Sequence, residues 1–221
     1  MEKRNWFTPR QKKFLELVFQ EKYISDKFYL TGGTALSACY YNHRESLDLD
    51  FFSPIEFSIQ EIGKILLQTR GKLGWVGIKR DISYPVNTYI LTWEDGDKLK
   101  LDFNYFLFRR LRKGTKVLGV DVDSLADIAV NKLDAMVSRR EIRDYIDLFT
   151  IMTREKISFS KLLQMHKKKT EFELTPMAAV KVLLKIHEVG NEPKMKIKFD
   201  RQEMVEFFES EARKLGRKIL L

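Results

Sequence analysis

The chain has 221 residues, 44% of them hydrophobic, and 40 Lys and Arg against 31 Asp and Glu, for a formal charge of +9. That length supports one substantial core, or one core with a helical extension; the single cysteine, Cys39, excludes an internal disulfide and fits a reducing compartment. No apolar run reaches the length of a membrane span, and no apolar stretch follows the Met1-Glu2-Lys3-Arg4 start as in a signal peptide, so a soluble cytoplasmic protein with no membrane partner is expected.

Thr8-Pro9 provides a capping hydroxyl and a first-turn proline, and Phe14, Leu15, Val18 and Phe19 recur at helical spacing, which predicts a helix over 9–22. A short strand over 28–31, a glycine turn and a helix from Thr34 to Tyr41 follow, then a polar loop, Asn42 to Glu45. Leu47 to Phe52 is predicted as a strand with Asp48 and Asp50 on one face and Leu47, Leu49 and Phe51 on the other. Ser58 with Glu61 forms a capping-box pattern for a helix ending near Arg70, with Gly71 and Gly74 as its stop. The pattern then becomes β: strands over 75–82 and 86–93 separated near Pro85, an Asp95-Gly96 turn, and a strand from Leu99 to Tyr105. In that last strand Leu99, Leu101, Phe103 and Tyr105 face the core and Asp102 lies on the polar side. Beyond Val120 the chain reads as helical: a Ser124-capped helix with Leu125, Ile128, Ala129, Leu133, Met136 and Val137 on its apolar stripe, then 141–152, 159–168, 176–188 and an Asp200-capped 201–214. The expected class is α+β: a mixed or antiparallel sheet with flanking helices over 1–122, then a C-terminal helical bundle over 123–221 packed on it.

Two stretches carry candidate chemistry. Phe28-Tyr29-Leu30-Thr31-Gly32-Gly33-Thr34-Ala35-Leu36 leads into His43-Arg44-Glu45-Ser46-Leu47-Asp48-Leu49-Asp50-Phe51-Phe52. Two like charges side by side repel near a core, and a divalent cation with oxygen ligands relieves that. Backbone N–H groups of a diglycine turn opening a helix can take an anion. Either half alone is commonly structural: a plain turn, or a solvated strand face. Together, in this order, they resemble the DNA-polymerase-beta-like nucleotidyltransferases, and the full string is similar to the AbiEii/AbiGii toxin-type branch. The second stretch, Lys132-Leu133-Asp134-Ala135-Met136-Val137-Ser138-Arg139-Arg140-Glu141-Ile142-Arg143-Asp144-Tyr145-Ile146-Asp147-Leu148, resembles the C-terminal motif of the same family. Lys132 and Arg139 lie nearly two turns apart and can share a side. Asp147 has a structural reading as a partner of Arg143 or Arg139. Without the resemblance, two helices decorated with i,i+4 ion pairs explain the stretch.

The resemblance, over about residues 25–150, implies transfer of a nucleotide from a nucleoside triphosphate to an acceptor hydroxyl. It implies Asp48, Asp50 and Asp102 as ligands of Mg²⁺, with Asp102 also receiving the acceptor's proton. Gly32, Gly33 and Thr34 would cradle the β- and γ-phosphates, with Arg44 and Ser46 in reach of them. Arg44 equally reads as an ion-pair partner offsetting Asp48 and Asp50. Lys132 and Arg139 would meet nucleotide phosphate, and Asp144 would orient Lys132 or a substrate group. The family further implies the toxin of a toxin–antitoxin or abortive-infection pair with a separately encoded antitoxin and tRNA or protein as acceptor. The alternatives are a small-molecule, aminoglycoside-type nucleotidyltransferase and a non-catalytic RNA-binding module on the same fold. The basic excess beyond residue 150 suits an RNA backbone, although interspersed lysines also simply solvate helices. His43, His166 and His187 lack zinc-ligand spacing, Cys39 reads as packing, and Lys167-Lys168-Lys169 as a solvated helix end.

Overall fold

The computed structural model of the chain describes residues 6–219; the Met1-Glu2-Lys3-Arg4 start lies outside the described residues. The chain divides into two compact units. The first takes residues through Asn42, 46–109 and 113–124; the second takes 43–45, 110–112 and the stretch from Leu125.

The first unit begins with α1 (Pro9–Val18). The Thr8 hydroxyl accepts from the Gln11 backbone N–H while the Gln11 side chain returns to the Thr8 N–H. The helix is shorter than its apolar pattern: after Phe19 the chain turns and restarts as α2 (Lys22–Ser25). Next come β1 (Tyr29–Thr31), α3 (Gly32–Leu36) and a π-helical turn over Ser37–Tyr41 that closes on Asn42 at φ 49°. The helix opens on Gly32 itself, two residues before the expected Thr34. After β2 (Leu49–Ser53), α4 (Ile59–Gln68) is capped by the Ser58 hydroxyl, and α5 (Arg70–Leu73) is ended by Gly74 in the left-handed region. Gly71 lies inside α5 and is no stop. The strands β3 (Gly77–Ser83), β4 (Val86–Thr92) and β5 (Lys98–Tyr105) fall close to expectation, and a small ribbon of β6 (Lys116–Val117) and β7 (Val120–Asp121) was not anticipated.

The five-stranded sheet has the order β1-β2-β5-β4-β3, with β2 and β5 parallel and the other pairs antiparallel. Its alternation places Leu49, Phe51, Tyr89, Leu91, Leu99, Leu101 and Phe103 in the core. Phe103 is the hub: its ring stacks on Phe51 at 5.0 Å and meets Phe28 at 5.2 Å and Tyr89 at 6.0 Å edge-on. From α1, Phe14 reaches Phe51 at 6.3 Å. Leu47 departs from expectation and is 51% exposed. It precedes β2, where the Gln11 amide donates to the Ser46 and Leu47 carbonyls, so the backbone there is tied to α1 and strand alternation does not extend back to it.

The second unit contains α6 (Leu125–Ser138), α7 (Ile142–Glu155), α8 (Phe159–Thr170), α9 (Pro176–Leu184) with a 3-10 turn over Lys185–Glu188, and α10 (Arg201–Ile219). The helical expectation holds, with α7 and α10 longer than predicted. Tyr145 is fully buried, donates to the Val182 carbonyl at 2.8 Å and meets Phe208 edge-on at 5.4 Å, joining α7, α9 and α10. Val137, expected on the α6 stripe, is exposed. Residues 43–45 join this unit by pairing with 194–196: Glu45 N–H donates to the Lys194 carbonyl at 2.8 Å and Lys196 N–H to the His43 carbonyl at 2.9 Å. No helix among the described residues is long and apolar enough to cross a membrane.

Truncating the hub tests the sheet core. Phe103→Ala is expected to lower unfolding free energy by about 3–5 kcal/mol, read as a shifted urea midpoint with an unchanged slope.

Candidate active site

One face of the sheet carries a polar row at a single level. Thr31 on β1 pairs with Asp50 on β2, Asp50 with Asp102 on β5, and Asp102 with Thr88 on β4. Cross-strand partners share a face, so Asp50 and Asp102 stand side by side on parallel strands, opposite the phenylalanine core. Asp48 sits two residues before Asp50, just outside the strand as drawn, and half-buried like it.

Carboxylates gathered on one face need cations, and Lys100 is one that meets two of them. Its ammonium lies 2.6 Å from Asp102 Oδ2 and 3.8 Å from Asp48 Oδ2. Burial alone would lower the Lys100 pKa; the Asp102 carboxylate, helped by Asp48 and Asp50, outweighs that and raises it. The other oxygen of Asp102 accepts from the Thr88 hydroxyl at 2.6 Å. Lys100 and Thr88 are absent from the sequence-derived set, yet both were legible. Lys100 precedes Asp102 by two residues and so shares its strand face, and Thr88 and Asp102 are equidistant from Asp95 at the hairpin tip.

The diglycine segment positions this face. Gly32 has φ +75°, and a Cβ there would lie 2.2 Å from Asp50 Oδ2. Its missing side chain is the space in which the Asp50 carboxylate sits. The buried Thr34 hydroxyl donates to Ser46 Oγ at 2.9 Å and is also against the Asp48 carbonyl. Thr34 and Ser46 thus fix the backbone carrying Asp48. By donor chemistry these residues suit a divalent ion: all are oxygen ligands, with the Gly32 cradle beside Asp50. Among the described residues no three His, Cys, Asp or Glu groups already converge on one cation position.

The second unit holds its own charged centre. Asp147, fully buried, takes the Arg44 guanidinium in a fork (Nε to Oδ1 and Nη2 to Oδ2, both 2.7 Å), His43 Nε2 at 2.7 Å and the Lys132 ammonium at 2.7 Å. Asp144, also fully buried, takes Lys132 at 2.8 Å and the Arg139 guanidinium at 2.7 and 3.0 Å. Lys132 and Arg139 do share a side, meeting at Asp144. The suggested partners of Asp147 are corrected: they are His43, Arg44 and Lys132, while Arg143 turns to Glu141 and Arg139 to Asp144. Arg44 has its guanidinium fork on Asp147, and the cation set against Asp48 and Asp102 is Lys100. Burial would raise both carboxyls, but Lys132 with Arg139 holds Asp144 below the usual carboxylate range, and Lys132 with Arg44 and His43 holds Asp147 well below it.

The remaining candidates are accounted for separately. Burial pushes the Cys39 thiol up to about 12, which leaves it a packing group rather than a nucleophile. His166 pairs with Asp134 and His187 with Glu209. Lys169 is not a solvated lysine: its buried ammonium meets Asp127 at 2.9 Å and Asn131 at 2.8 Å, while Asp127 accepts the Leu111 N–H at 2.7 Å.

A mixed sheet with flanking helices, bearing paired aspartates beside a diglycine turn, agrees with the nucleotidyltransferase class that the family match shows. The model for the family described as nucleotidyl transferase AbiEii toxin, type IV toxin–antitoxin system, matches residues 14–217, and the chain belongs to that family. The chain is 31% identical over 153 residues to the uncharacterized protein aq_aa25 of Aquifex aeolicus (strain VF5), spanning 66% of this chain and 68% of that one. Its fold is similar to that of JHP933 from Helicobacter pylori, with a TM-score of 0.59 at 19% identity, covering 96% of this chain and 94% of that one.

The two buried carboxyls make stability depend on acid in a defined sense. Their folded pKa values lie below the unfolded value of about 3.9, so the stability they contribute is complete above that pH. It is lost as pH falls through the folded values. Urea midpoints are expected to drop below about pH 4, and Asp147→Asn, which removes the buried charge that Arg44 and Lys132 share, to cost about 3–5 kcal/mol at neutral pH and flatten that acid slope.

Proposed function

We propose that the protein moves a nucleoside monophosphate from a nucleoside triphosphate to an acceptor hydroxyl on a tRNA end or a protein. In this reading the reaction is Mg²⁺-dependent, and the protein acts in the cytoplasm as the toxin of a pair with a separately encoded antitoxin. The observation that carries the reading is the register that sets Asp50 beside Asp102 on parallel strands, with Asp48 two residues upstream and Lys100 bridging Asp48 to Asp102. Family membership supports it.

The acceptor hydroxyl attacks the α-phosphorus and pyrophosphate leaves. When bound, Mg²⁺ held by Asp48, Asp50 and Asp102 supplies charge neutralisation of the triphosphate and a lowered pKa for the acceptor hydroxyl. Asp102, oriented on one oxygen by Thr88, takes up the hydroxyl's proton. Gly32 and Gly33 provide backbone donors for the phosphates, while Thr34 and Ser46 keep Asp48 in place. Arg44 acts through Asp147, which it pairs with and which in turn holds Lys132. Lys132, held by Asp144 and Asp147, is the residue proposed to meet nucleotide phosphate, as family membership suggests. Arg139 shares Asp144 with it. The basic character of the helical unit suits an RNA acceptor.

Purified protein incubated with each α-labelled nucleoside triphosphate, Mg²⁺ and either total tRNA or a protein lysate is expected to label one polymer. Label on neither overturns the polymer acceptor. Asp48→Asn and Asp50→Asn are each expected to lower transfer by about 10²-fold or more with an unchanged circular-dichroism spectrum, and wild-type turnover in either removes these carboxylates from the chemistry.

A further inference from the structure

We propose that Lys100 is a placeholder cation: its ammonium occupies the divalent-ion position between Asp48 and Asp102 until metal enters and displaces it. The inference rests on the reading of Asp48, Asp50 and Asp102 as metal ligands and adds a residue that decides when they are loaded. Three observations point to it.

The ammonium contacts Asp102 at 2.6 Å and faces Asp48 at 3.8 Å, a reach that no i,i+2 strand pair alone requires. A lysine ammonium is a compact point charge on a flexible four-carbon stem. It can hold repelling carboxylates together and still leave, whereas a guanidinium fork would lock them. The Lys100 side chain is 39% exposed while that of Asp102 is 10% exposed, so the lysine has solvent to turn into and the carboxylate does not. Charge agrees with this order of events. One ammonium between Asp48 and Asp102 leaves a net negative charge on that pair, enough to draw a divalent ion, and its departure leaves both carboxylates to the metal. Thr88 keeps its hydrogen bond to Asp102 Oδ1 whichever cation is present, so the carboxylate is oriented before exchange. The device keeps the face assembled without metal and sets the metal concentration at which the site fills. A lysine that served only as a strand-face ion pair, or only to meet substrate phosphate, would not compete with metal.

Competition is measured on the whole chain, without nucleotide, by Mn²⁺ binding followed by electron paramagnetic resonance. Lys100→Met is expected to bind Mn²⁺ about 5- to 150-fold tighter than wild type, the usual span of one coupled site. Its melting temperature is expected to be lower without metal and to rise further on adding Mg²⁺. Lys100→Gln, which keeps a hydrogen-bond donor and removes the charge, is expected to behave alike and carries the test if Lys100→Met does not fold. In the wild-type chain an amine-acylating probe read by mass spectrometry is expected to label Lys100 faster with Mg²⁺ than without it. Equal or weaker Mn²⁺ binding by the variants, or labelling that Mg²⁺ leaves unchanged, overturns the placeholder while the metal reading stands. If wild type, both variants and Asp50→Asn all fail to bind Mn²⁺, the metal-ligand reading itself is wrong and the placeholder goes with it.

Discussion

Parallel pairing of β2 with β5 is the constraint from which the rest of the sheet unit follows. Register places Asp50 and Asp102 side by side, and two carboxylates at that spacing repel. The surrounding residues are arranged to bear that cost. Lys100 lends a charge, Thr88 a hydroxyl, and Gly32 the volume of an absent side chain. On the opposite face the same register stacks Phe51 on Phe103, so the apolar contact that stabilises the strand pair is also what forces the acids together. A slip by one residue would send the phenylalanines to the polar face and the aspartates into the core, so the site and the core are specified by one alignment.

The helical unit solves a different electrostatic problem. Asp144 and Asp147 are fully buried, where a lone carboxylate is strongly disfavoured. Lys132 joins the two, Arg44 closes a bidentate fork on one and Arg139 on the other. Such a centre is costly to break and contributes less than its contacts would suggest, because desolvation offsets much of the attraction. Its value lies in orientation: Lys132 is held in one geometry by two acids, one of which also takes Arg44 and His43.

Much of this was readable in the chain. The strand from Leu99 to Tyr105 alternates strictly after a clear Asp95-Gly96 turn, so the β elements emerged close to their observed limits, and the helices beyond Val120 announced themselves by apolar stripes and caps. Ends were harder to read. Leu47 continues the alternation in sequence but not in space, because Gln11 holds its backbone off the sheet. Lys169 looked like one more surface lysine in a run of three, and only its position on α8 turns it to Asp127. The ribbon of β6 and β7 is too short to leave a periodic signal.

Local pattern determined the elements, the diglycine turn and the presence of Asp50 and Asp102 on polar strand faces, since alternation and capping act over a few residues. The strand order, and with it the parallel neighbours Asp50 and Asp102, depended on pairing across some fifty positions of chain. So did the joining of Arg44 and His43 to Asp147 over more than a hundred. Those pairings are decided by which surfaces bury together and which charges can be desolvated in company, properties of the packed molecule that no short window of residues contains.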